Sequence, residues 1–432
     1  MEGSIDRQIE RGNSGPQGRV VSSPVGGVLD RLAQRLLLSR LARIARGRLV
    51  IEERGERHVF GTARNGTPGA TVTVNDPRCY VDIAFGGSVG AGEAYAKGLW
   101  DCDDLTAAMR VLLLNRDALD SLEGGPAFLA TPMARLVHWL NRNTRAGSRR
   151  NIAAHYDLGN EFFALWLDPS MMYSAAIYDR PPMSLDEAAE AKLEHICRKL
   201  DLNPADRVLE IGTGWGGFAV HAASRYGCAV TTVTISREQY EFARQRVAAA
   251  GLADRVNVLL ADYRDLDPAA LGRFDKLVSI EMIEAVGHEY IPEYFRRCAN
   301  LLEDHGLMLL QAITIADQHY DRARRSVDFI KKHIFPGSCL TSITRMSKAL
   351  TSATDLRIFD VEEIGPHYAT TLRDWRARFL SKRNAIRALG YSQEFIRLWE
   401  FYFCYCEAGF LERTIGDVQM LLVKPGCRRA PL

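Results

Sequence analysis

The chain has 432 residues, of which 47% are hydrophobic and 25% charged, and its formal net charge is +2. This length allows two domains with a sizeable core, and we expect no nucleic-acid partner, although the near-balanced total charge by itself says little about nucleic acid or membrane. No apolar run approaches the roughly 18 residues of a transmembrane helix, and the nine cysteines form no CxxC pair or metal-ligand spacing, so we expect a cytoplasmic protein without a metal site.

The first 145 residues predict a tail followed by a small module. Residues 1–27 are polar and rich in Gly, Ser and Pro, so we expect them to be disordered. Residues 28–145 predict a mixed α/β module with a basic amphipathic helix, two strands in "GRLVIEER" and "ATVTVND", and a helical stretch in "GEAYAKGLWDCDDLTAAMRVLLLN". The segment "NRNTRAGSRRN" is typical of a linker.

The amphipathic helix that begins at Val28 carries an apolar stripe and many arginines. Helical spacing groups these apolar side chains on one face: Leu29, Leu32, Leu36, Leu41 and Ile44. The arginines fall largely on the other faces. The pattern fits a helix that faces the core with a solvated arginine side, or a helix that lies on anionic lipid.

From residue 146 to residue 427, strands alternate with helices. Apolar runs typical of strands buried on both faces occur in "RVLEIG", "CAVTTVTI", "RVNVLLAD" and "FDKLVSIE", with helices between the first three. Further strands follow in "GLMLLQAIT", "LRIFDVEEIG" and "DVQMLLVKP", interrupted by an insertion and two long helices. The pattern predicts an α/β fold with a doubly wound, Rossmann-like sheet.

The glycine loop after the first of these strands indicates the ligand. Gly212, Gly214 and Gly217 fit the G-x-G-x-x-G template, which first suggests a dinucleotide such as NAD. A dinucleotide site also needs an acidic residue at the end of the second strand, which here ends in "VTIS". Instead, Glu210 lies inside the first strand and Asp262 ends the third, which suits the ammonium and adenine groups of S-adenosylmethionine. The alternative roles are a strand-end carboxylate for Glu210 and a helix N-cap for Asp262.

Seven segments of the chain carry a family resemblance. They are "AAHYDLGNEFFALWLDPSMMYSAAIY", "VLEIGTGWGG", "VTISREQYEFA", "IEMIEAVGHEYIPEYF", "FIKKHIFPGSCLTSI", "HYATTLRDW" and "FYFCYCEAGFLERTIGDVQMLLVKP". Together they resemble the cyclopropane-fatty-acid synthase family of lipid methyltransferases. The resemblance implies a class I S-adenosylmethionine methyltransferase domain with a helical insertion over residues 146–427, preceded by a lipid-associated module like that of the phospholipid-acting members.

The resemblance also implies where the cofactor would lie. The residues that would contact its methionine part are Tyr173, Ser174, Gly212 and Gly214. The residues that would contact its ribose, adenine and sulfonium are Thr234, Ile235, Gln239, Tyr263 and Ile280. Glu210 and Asp262 complete the predicted cofactor site.

The predicted catalytic residues are Glu284, Tyr368 and Gln311. In the resembled cyclopropane synthases, the positions of Glu284 and Tyr368 help to hold a bicarbonate ion near the reacting methyl group. The chain departs from the family pattern at three positions: Ala175 stands where the family has cysteine, and Gln311 and Ala285 stand where it has histidine. Gln311 can donate a hydrogen bond, but it cannot titrate as histidine does.

The reaction implied by the resemblance is methyl transfer to a cis double bond, which leaves a carbocation on the acyl chain. Such a site must exclude water, offer aromatic faces and carboxylates, and supply a base. The leading expectation is a cyclopropane product. Three outcomes remain open for the altered site. In the first, bicarbonate still binds; in the second, Glu284 itself is the base; in the third, the cation loses a proton from a neighbouring carbon and gives a methylene- or methyl-branched chain instead of a ring.

The expected substrates are unsaturated phospholipid acyl chains at the inner membrane face, where the protein would be peripheral. Basic residues of the insertion would meet head groups or form a solvated helix face: Arg322, Arg324, Arg325, Lys331 and Lys332. Two further associations remain open: the chain could form a homodimer, and a reductase partner would be needed if the final product is saturated. Three other functions are a methyltransferase for a small soluble acceptor, an inactive lipid-binding homologue and an NAD-dependent oxidoreductase.

Overall fold

The computed structural model describes residues 27–116 and 158–430. The predicted tail, apart from its last residue, and the predicted linker lie outside the described residues, as does the predicted boundary at 145/146. Within the two described ranges, no helix has the length and apolar character needed to cross a membrane.

Within residues 27–116, the part of the N-terminal module that the structure describes is a four-stranded sheet with three helices. Its helices are α1 (Val28–Leu41), α2 (Arg78–Ala96) and α3 (Leu105–Leu114). Its strands are β1 (Gly47–Glu53), β2 (Glu56–Thr62), β3 (Gly69–Val74) and β4 (Trp100–Cys102), in the order β2-β1-β3-β4. The predicted strands β1 and β3 are confirmed and pair in parallel. The strands β2 and β4 were not predicted. The strand β4 interrupts the stretch "GEAYAKGLWDCDDLTAAMRVLLLN", which was expected to be helical.

The buried face of α1 differs from the predicted stripe. Ala33, Leu37 and Leu41 face the core, whereas Leu29 and Leu32 are 68% and 56% exposed. Apolar side chains surround the first turns of this helix, and only the position of the neighbouring sheet decides which of them are covered. The stripe prediction was therefore right for Leu41 and Ile44 and wrong for Leu29 and Leu32.

The second domain confirms the predicted doubly wound sheet. Its strands are β5 (Arg207–Ile211), β6 (Ala229–Thr234), β7 (Val256–Leu260), β8 (Phe274–Ile280), β9 (Leu302–Ile315), β10 (Arg357–Glu363) and β11 (Ile415–Val423). They lie in the order β10-β11-β9-β8-β5-β6-β7. The run from β9 to β7 is parallel, whereas β11 is antiparallel to both β9 and β10.

Helices cover both faces of this sheet and form the insertion. Those before β9 are α4 (Asn160–Ala164), α5 (Leu185–Leu200), α6 (Gly217–Tyr226), α7 (Arg237–Ala249), α8 (Pro268–Leu271) and α9 (Ile291–Leu301). Those after β9 are α10 (Asp317–Ala323), α11 (Phe329–His333), α12 (Ile343–Ala353), α13 (Gly365–Ser381), α14 (Arg383–Ala388) and α15 (Gln393–Leu411). Because parallel strands end at one edge of the sheet, the loops after β5, β6, β7 and β8 meet there, where such folds bind ligands.

The N-terminal module packs directly on the second domain through α15. One cluster of buried apolar side chains runs through both parts of the chain. Ion pairs join them at the rim of the contact with α15, among them Arg110 with Glu412 at 2.6 Å and Arg397 with Asp101 at 2.7 Å. The two parts therefore share walls, and a cavity can pass from one into the other.

Candidate active site

A cavity of about 700 Å³ begins at the carboxyl edge of the parallel strands. It is lined by predicted residues of β5, the glycine loop, the end of β6 and the start of α7: Glu210, Gly212, Gly214, Thr234, Ile235 and Gln239. Further predicted residues that line it come from other segments: Tyr173, Ser174, Asp262, Tyr263, Ile280, Glu284 and Tyr368. Residues up to 195 positions apart in sequence thus face one space, as the resemblance implied.

The glycine loop has a backbone shape that leaves room for a ligand. Gly212 and Gly214 have φ of +105° and +51°, a region that residues with a side chain rarely adopt. A Cβ atom on Gly214 would meet no protein atom within 4 Å, so a side chain there would project into open space beside the cavity wall. A Cβ atom on Gly217 would lie 2.8 Å from the Met172 sulfur, which shows how closely the loop holds the "MMYS" segment.

The two carboxylates that indicated S-adenosylmethionine both line the cavity, and each has a protein partner. Glu210 is buried, its Oε2 accepts a hydrogen bond from the Thr232 hydroxyl at 2.6 Å, and burial raises its pKa to about 8. Asp262 accepts two hydrogen bonds from the Arg264 guanidinium, at 2.8 and 2.6 Å. It also caps the short 3₁₀ turn Tyr263–Asp265, so the N-cap role considered from the sequence is present.

A buried lysine beneath the cofactor side of the cavity was not predicted. Lys192 has no exposed surface, and its Nζ donates a hydrogen bond to the Ser174 hydroxyl at 2.8 Å. Burial lowers its pKa to about 8, whereas the negative charges of Glu281, Asp168, Asp417 and Glu210 act in the opposite direction. In sequence it stands among charged residues of α5, where a solvated lysine is the ordinary interpretation.

The structure adds a second glutamate, Glu281, to the predicted catalytic residues. Its Oε1 accepts hydrogen bonds from the Ala175 backbone N–H and the Gln311 Nε2, both at 2.8 Å. Its Oε2 accepts one from the Tyr368 hydroxyl at 2.7 Å. Glu281 lines the cavity at the end of β8 and has φ of +47°. Three donors from three separate elements thus converge on one carboxylate.

Gln311 lies behind Glu281, and the residues lining the cavity do not include it. It is fully buried on β9, and its Nε2 also contacts the Asp417 carboxylate at 3.1 Å. Burial, together with the negative charges of Glu281 and Glu284, holds the pKa of Asp417 well above its usual range. We call Glu281, Glu284 and Asp417 the carboxylate cluster. Gln311 connects two of its members and positions Glu281 toward the cavity.

Glu284 has one carboxylate oxygen without a partner. Its Oε1 accepts a hydrogen bond from the Ile313 backbone N–H at 2.6 Å. Its Oε2 is buried and has no hydrogen-bond partner in the described part of the chain. Burial and the charge of Glu281 raise the pKa of Glu284 to about 8. A carboxylate that lines a cavity with free lone pairs and a raised pKa is suited to accept a proton.

Aromatic rings form the wall beside the carboxylate cluster. Tyr368 stacks on Phe410 with ring centroids 4.5 Å apart, and the Tyr173 hydroxyl lies 3.1 Å from that of Tyr402. All four of these residues line the cavity. Aromatic faces and buried carboxylates both stabilise positive charge, so this part of the cavity is suited to a cationic group.

Comparison with known proteins gives consistent matches. Residues 143–420 match the family described as mycolic acid cyclopropane synthetase. The chain is 39% identical over 358 residues to tuberculostearic acid methyltransferase UfaA1 of Mycobacterium tuberculosis, covering 79% of this chain and 80% of that protein. It is 37% identical over 363 residues to the cyclopropane-fatty-acyl-phospholipid synthase of Escherichia coli K12, covering 82% of this chain and 88% of that protein.

The fold is also similar to solved structures. A structure of mycolic acid cyclopropane synthase CmaA1 complexed with SAH and CTAB superposes with a TM-score of 0.59 and 32% identity. The match covers 64% of this chain and 98% of that chain.

Proposed function

The chain belongs to the mycolic acid cyclopropane synthetase family and is an S-adenosylmethionine-dependent methyltransferase, and from this premise we propose the reaction that its site performs. It transfers a methyl group to a cis double bond of an unsaturated phospholipid acyl chain and forms a methylene-branched chain. The observation that carries this proposal is the carboxylate cluster. In this cluster, Glu281 accepts three hydrogen bonds, and Glu284 has one carboxylate oxygen without a hydrogen-bond partner in the described residues.

The residues present fit the cofactor. The open space at Gly214 and the positive φ of Gly212 make a cradle that a Cβ atom would obstruct, and Glu210 supplies a carboxylate for an ammonium group. When bound there, S-adenosylmethionine supplies an electrophilic methyl group on a positively charged sulfur. Ser174, held by Lys192, orients the polar end of the site.

The protein controls the charge that methyl transfer creates. The π electrons of the double bond form the new carbon–carbon bond, and the neighbouring carbon of the chain becomes cationic. The carboxylate of Glu281 stabilises this cation, as do the faces of Tyr173 and Tyr402. The proposed position of the cation lies against a largely apolar wall, which disfavours water beside it.

Glu284 completes the reaction as the base. A hydride moves from the methylated carbon to the cationic carbon, so the positive charge transfers to the more substituted position. The free Oε2 of Glu284 then removes a proton from the added methyl group, and the electrons of that C–H bond form the new C=CH₂ bond. The chain gains one CH₂ and keeps one double bond, so no reductant is needed for this step.

A bicarbonate ion does not fit the present residues. The donors nearest to its expected position, which are Tyr368, Gln311 and the Ala175 amide, already donate to Glu281. Glu284 and Asp417 add negative charge beside them, which opposes the entry of an anion. Glu281 therefore takes the place of an external anion. Since this fixed carboxylate stabilises the cation and is not free to act as a base, rearrangement is favoured over immediate ring closure.

The product can be identified by mass spectrometry of fatty acids from cells that express the chain. We expect an acyl species one CH₂ heavier than an unsaturated parent, which takes up hydrogen under conditions that reduce alkenes and spare cyclopropanes. Cells that express the Glu281→Gln variant serve as the control. A heavier species that resists hydrogenation would show that the ring closes, and the absence of any new species would contradict lipid methylation.

The pH dependence of the rate tests the role of Glu284. Since its pKa of about 8 is raised, the base form is scarce at lower pH and dominates above that value. The kcat/KM for S-adenosylmethionine should therefore rise with pH and level off above about 8. In the complex, the positive charge of the bound sulfonium lowers the pKa of Glu284, so kcat should level off at a lower pH than kcat/KM. Glu210 titrates in the same range, so the Glu210→Gln variant should weaken cofactor binding and keep the rise in kcat. A kcat/KM of the Glu210→Gln variant that does not change with pH between about 6 and 8 would contradict a carboxylate base.

A further inference from the structure

The cavity does not end at the reacting centre but continues into the N-terminal module. There it is lined by the inner faces of α1, β1, β3, α2 and α3, through side chains such as Leu41, Ile51, Val74 and Met109. These side chains line the cavity and are at most 8% exposed, so little solvent reaches them. Protein interiors are normally packed without voids larger than a water molecule, so a module built around such a space is a binding site.

The chemistry of this extension fits an aliphatic chain. Most of its lining side chains are apolar, and the Tyr80 hydroxyl is already bonded to the Glu53 carboxylate at 2.8 Å. A ligand with polar groups along its length would lose hydrogen bonds with water and gain none here. We call this space the module arm, and the space beside the carboxylate cluster the catalytic arm.

The two arms are held in a fixed relation by the contact between the module and the second domain. Gly92 of α2 approaches the Phe329 ring so closely that a Cβ atom would lie 2.4 Å from it. Phe329 in turn contacts Phe401 of α15, with ring centroids 4.7 Å apart, and Phe401 lines the cavity. On the same side, Glu93 accepts a hydrogen bond from His333 at 2.9 Å.

Positive side chains line the same cavity. Arg322 and Arg324 lie on and just after α10, and Lys331 lies on α11. Lys331 donates to the backbone carbonyls of Ala323 and Ser326, at 2.6 and 2.9 Å, and so fixes the end of α10 and the turn after it, where the two arginines lie. Guanidinium groups beside an apolar cavity are suited to a phosphate attached to aliphatic chains.

From these observations we propose that the site binds a diacyl phospholipid with its two chains in different arms. The unsaturated chain enters the catalytic arm, the second chain enters the module arm, and the phosphate lies near Arg322 and Arg324. This inference rests on the proposed function for the identity of the reacting chain. The module is then part of the substrate site and selects lipids with two chains over lipids with one.

Photo-cross-linking tests this assignment on the full chain. The probe is a phosphatidylglycerol with one oleoyl chain and one saturated chain that ends in a diazirine, presented in vesicles with S-adenosylmethionine. We expect the cross-links to fall on peptides of residues 28–116, near Leu41 or Met109. Cross-links confined to residues 158–430 would overturn the proposal. Because cross-linking needs no turnover, methylation of the oleoyl chain in the same sample reports separately on the proposed function.

Selectivity between substrates gives a second measurement. Ala108 lines the module arm, so Ala108→Phe should fill it and lower the ratio of kcat/KM for the diacyl lipid to that for oleoyl lysophosphatidylglycerol by about tenfold. Val59→Phe adds similar bulk to the same module at a side chain that is 52% exposed and should leave the ratio unchanged. An unchanged ratio in a folded Ala108→Phe protein would overturn the proposal. If that variant does not fold, Leu112→Phe, at a partly exposed lining position, replaces it.

Discussion

Replacement of Glu284 with glutamine should lower turnover by at least about a hundredfold and change the affinity for S-adenosylmethionine by no more than about threefold. The amide keeps the size of the side chain and can still accept the hydrogen bond from the Ile313 N–H, so the site should keep its shape. It cannot take up the proton that the product must lose. Turnover is measured from the yield of the heavier acyl species, and cofactor affinity by calorimetry.

The control for this variant is Glu394→Gln, which makes the same chemical change on the exposed first turn of α15. It should behave as the wild type in both measurements. Wild-type turnover in Glu284→Gln would remove this residue from the mechanism and leave Glu281 as the nearest carboxylate. Loss of both turnover and cofactor binding would indicate that Glu284 supports the structure of the site and does not act as its base.

Gly212→Val should weaken the binding of S-adenosylmethionine by at least about a hundredfold, so that activity is lost at any practical cofactor concentration. Gly212 has φ of +105°, which a β-branched residue does not adopt without strain. Its amide N–H also donates to the Val233 carbonyl at 3.0 Å, so a shift of this residue would move the loop against the end of β6. Calorimetric titration with the cofactor measures the loss directly.

Gly66→Val separates backbone strain from the effect on the ligand. Gly66 lies between β2 and β3 with φ of +82°, and nothing surrounds the position of its Cβ atom within 4 Å. This variant should lose thermal stability to a similar extent and still bind the cofactor. If Gly212→Val binds the cofactor as the wild type does, the glycine loop is not the cofactor cradle.

The catalytic sheet could be predicted because its strands are buried on both faces. Four of the five residues of β5 are buried, and such strands appear in sequence as continuous apolar runs. The ligand-binding edge then follows from the parallel order, which brings the residues after each strand together. The sequence did not predict strand β2, because its side chains are partly or fully exposed and its sequence "ERHVFGT" therefore shows no apolar alternation.

Glu281 could not be assigned from the sequence because its role depends on distant residues. Its three donors, Ala175, Gln311 and Tyr368, lie 106, 30 and 87 positions away. In "SIEMIE" it resembles an ordinary polar residue at the end of a strand. The local signal was the pair of carboxylates three positions apart, directly after a buried strand whose end lies at the ligand edge. Lys192 gave no such signal, because its helix has charged residues on either side of it.

The buried acids around the cavity also discriminate between the fresh and the spent cofactor. S-adenosylmethionine enters with a positive sulfur, and methyl transfer leaves that sulfur neutral. A pocket that contains Glu210, Glu281 and Glu284 gains electrostatic attraction from the first form and loses it with the second. Each turnover therefore weakens the electrostatic attraction between the pocket and the spent cofactor, without any movement of the fold.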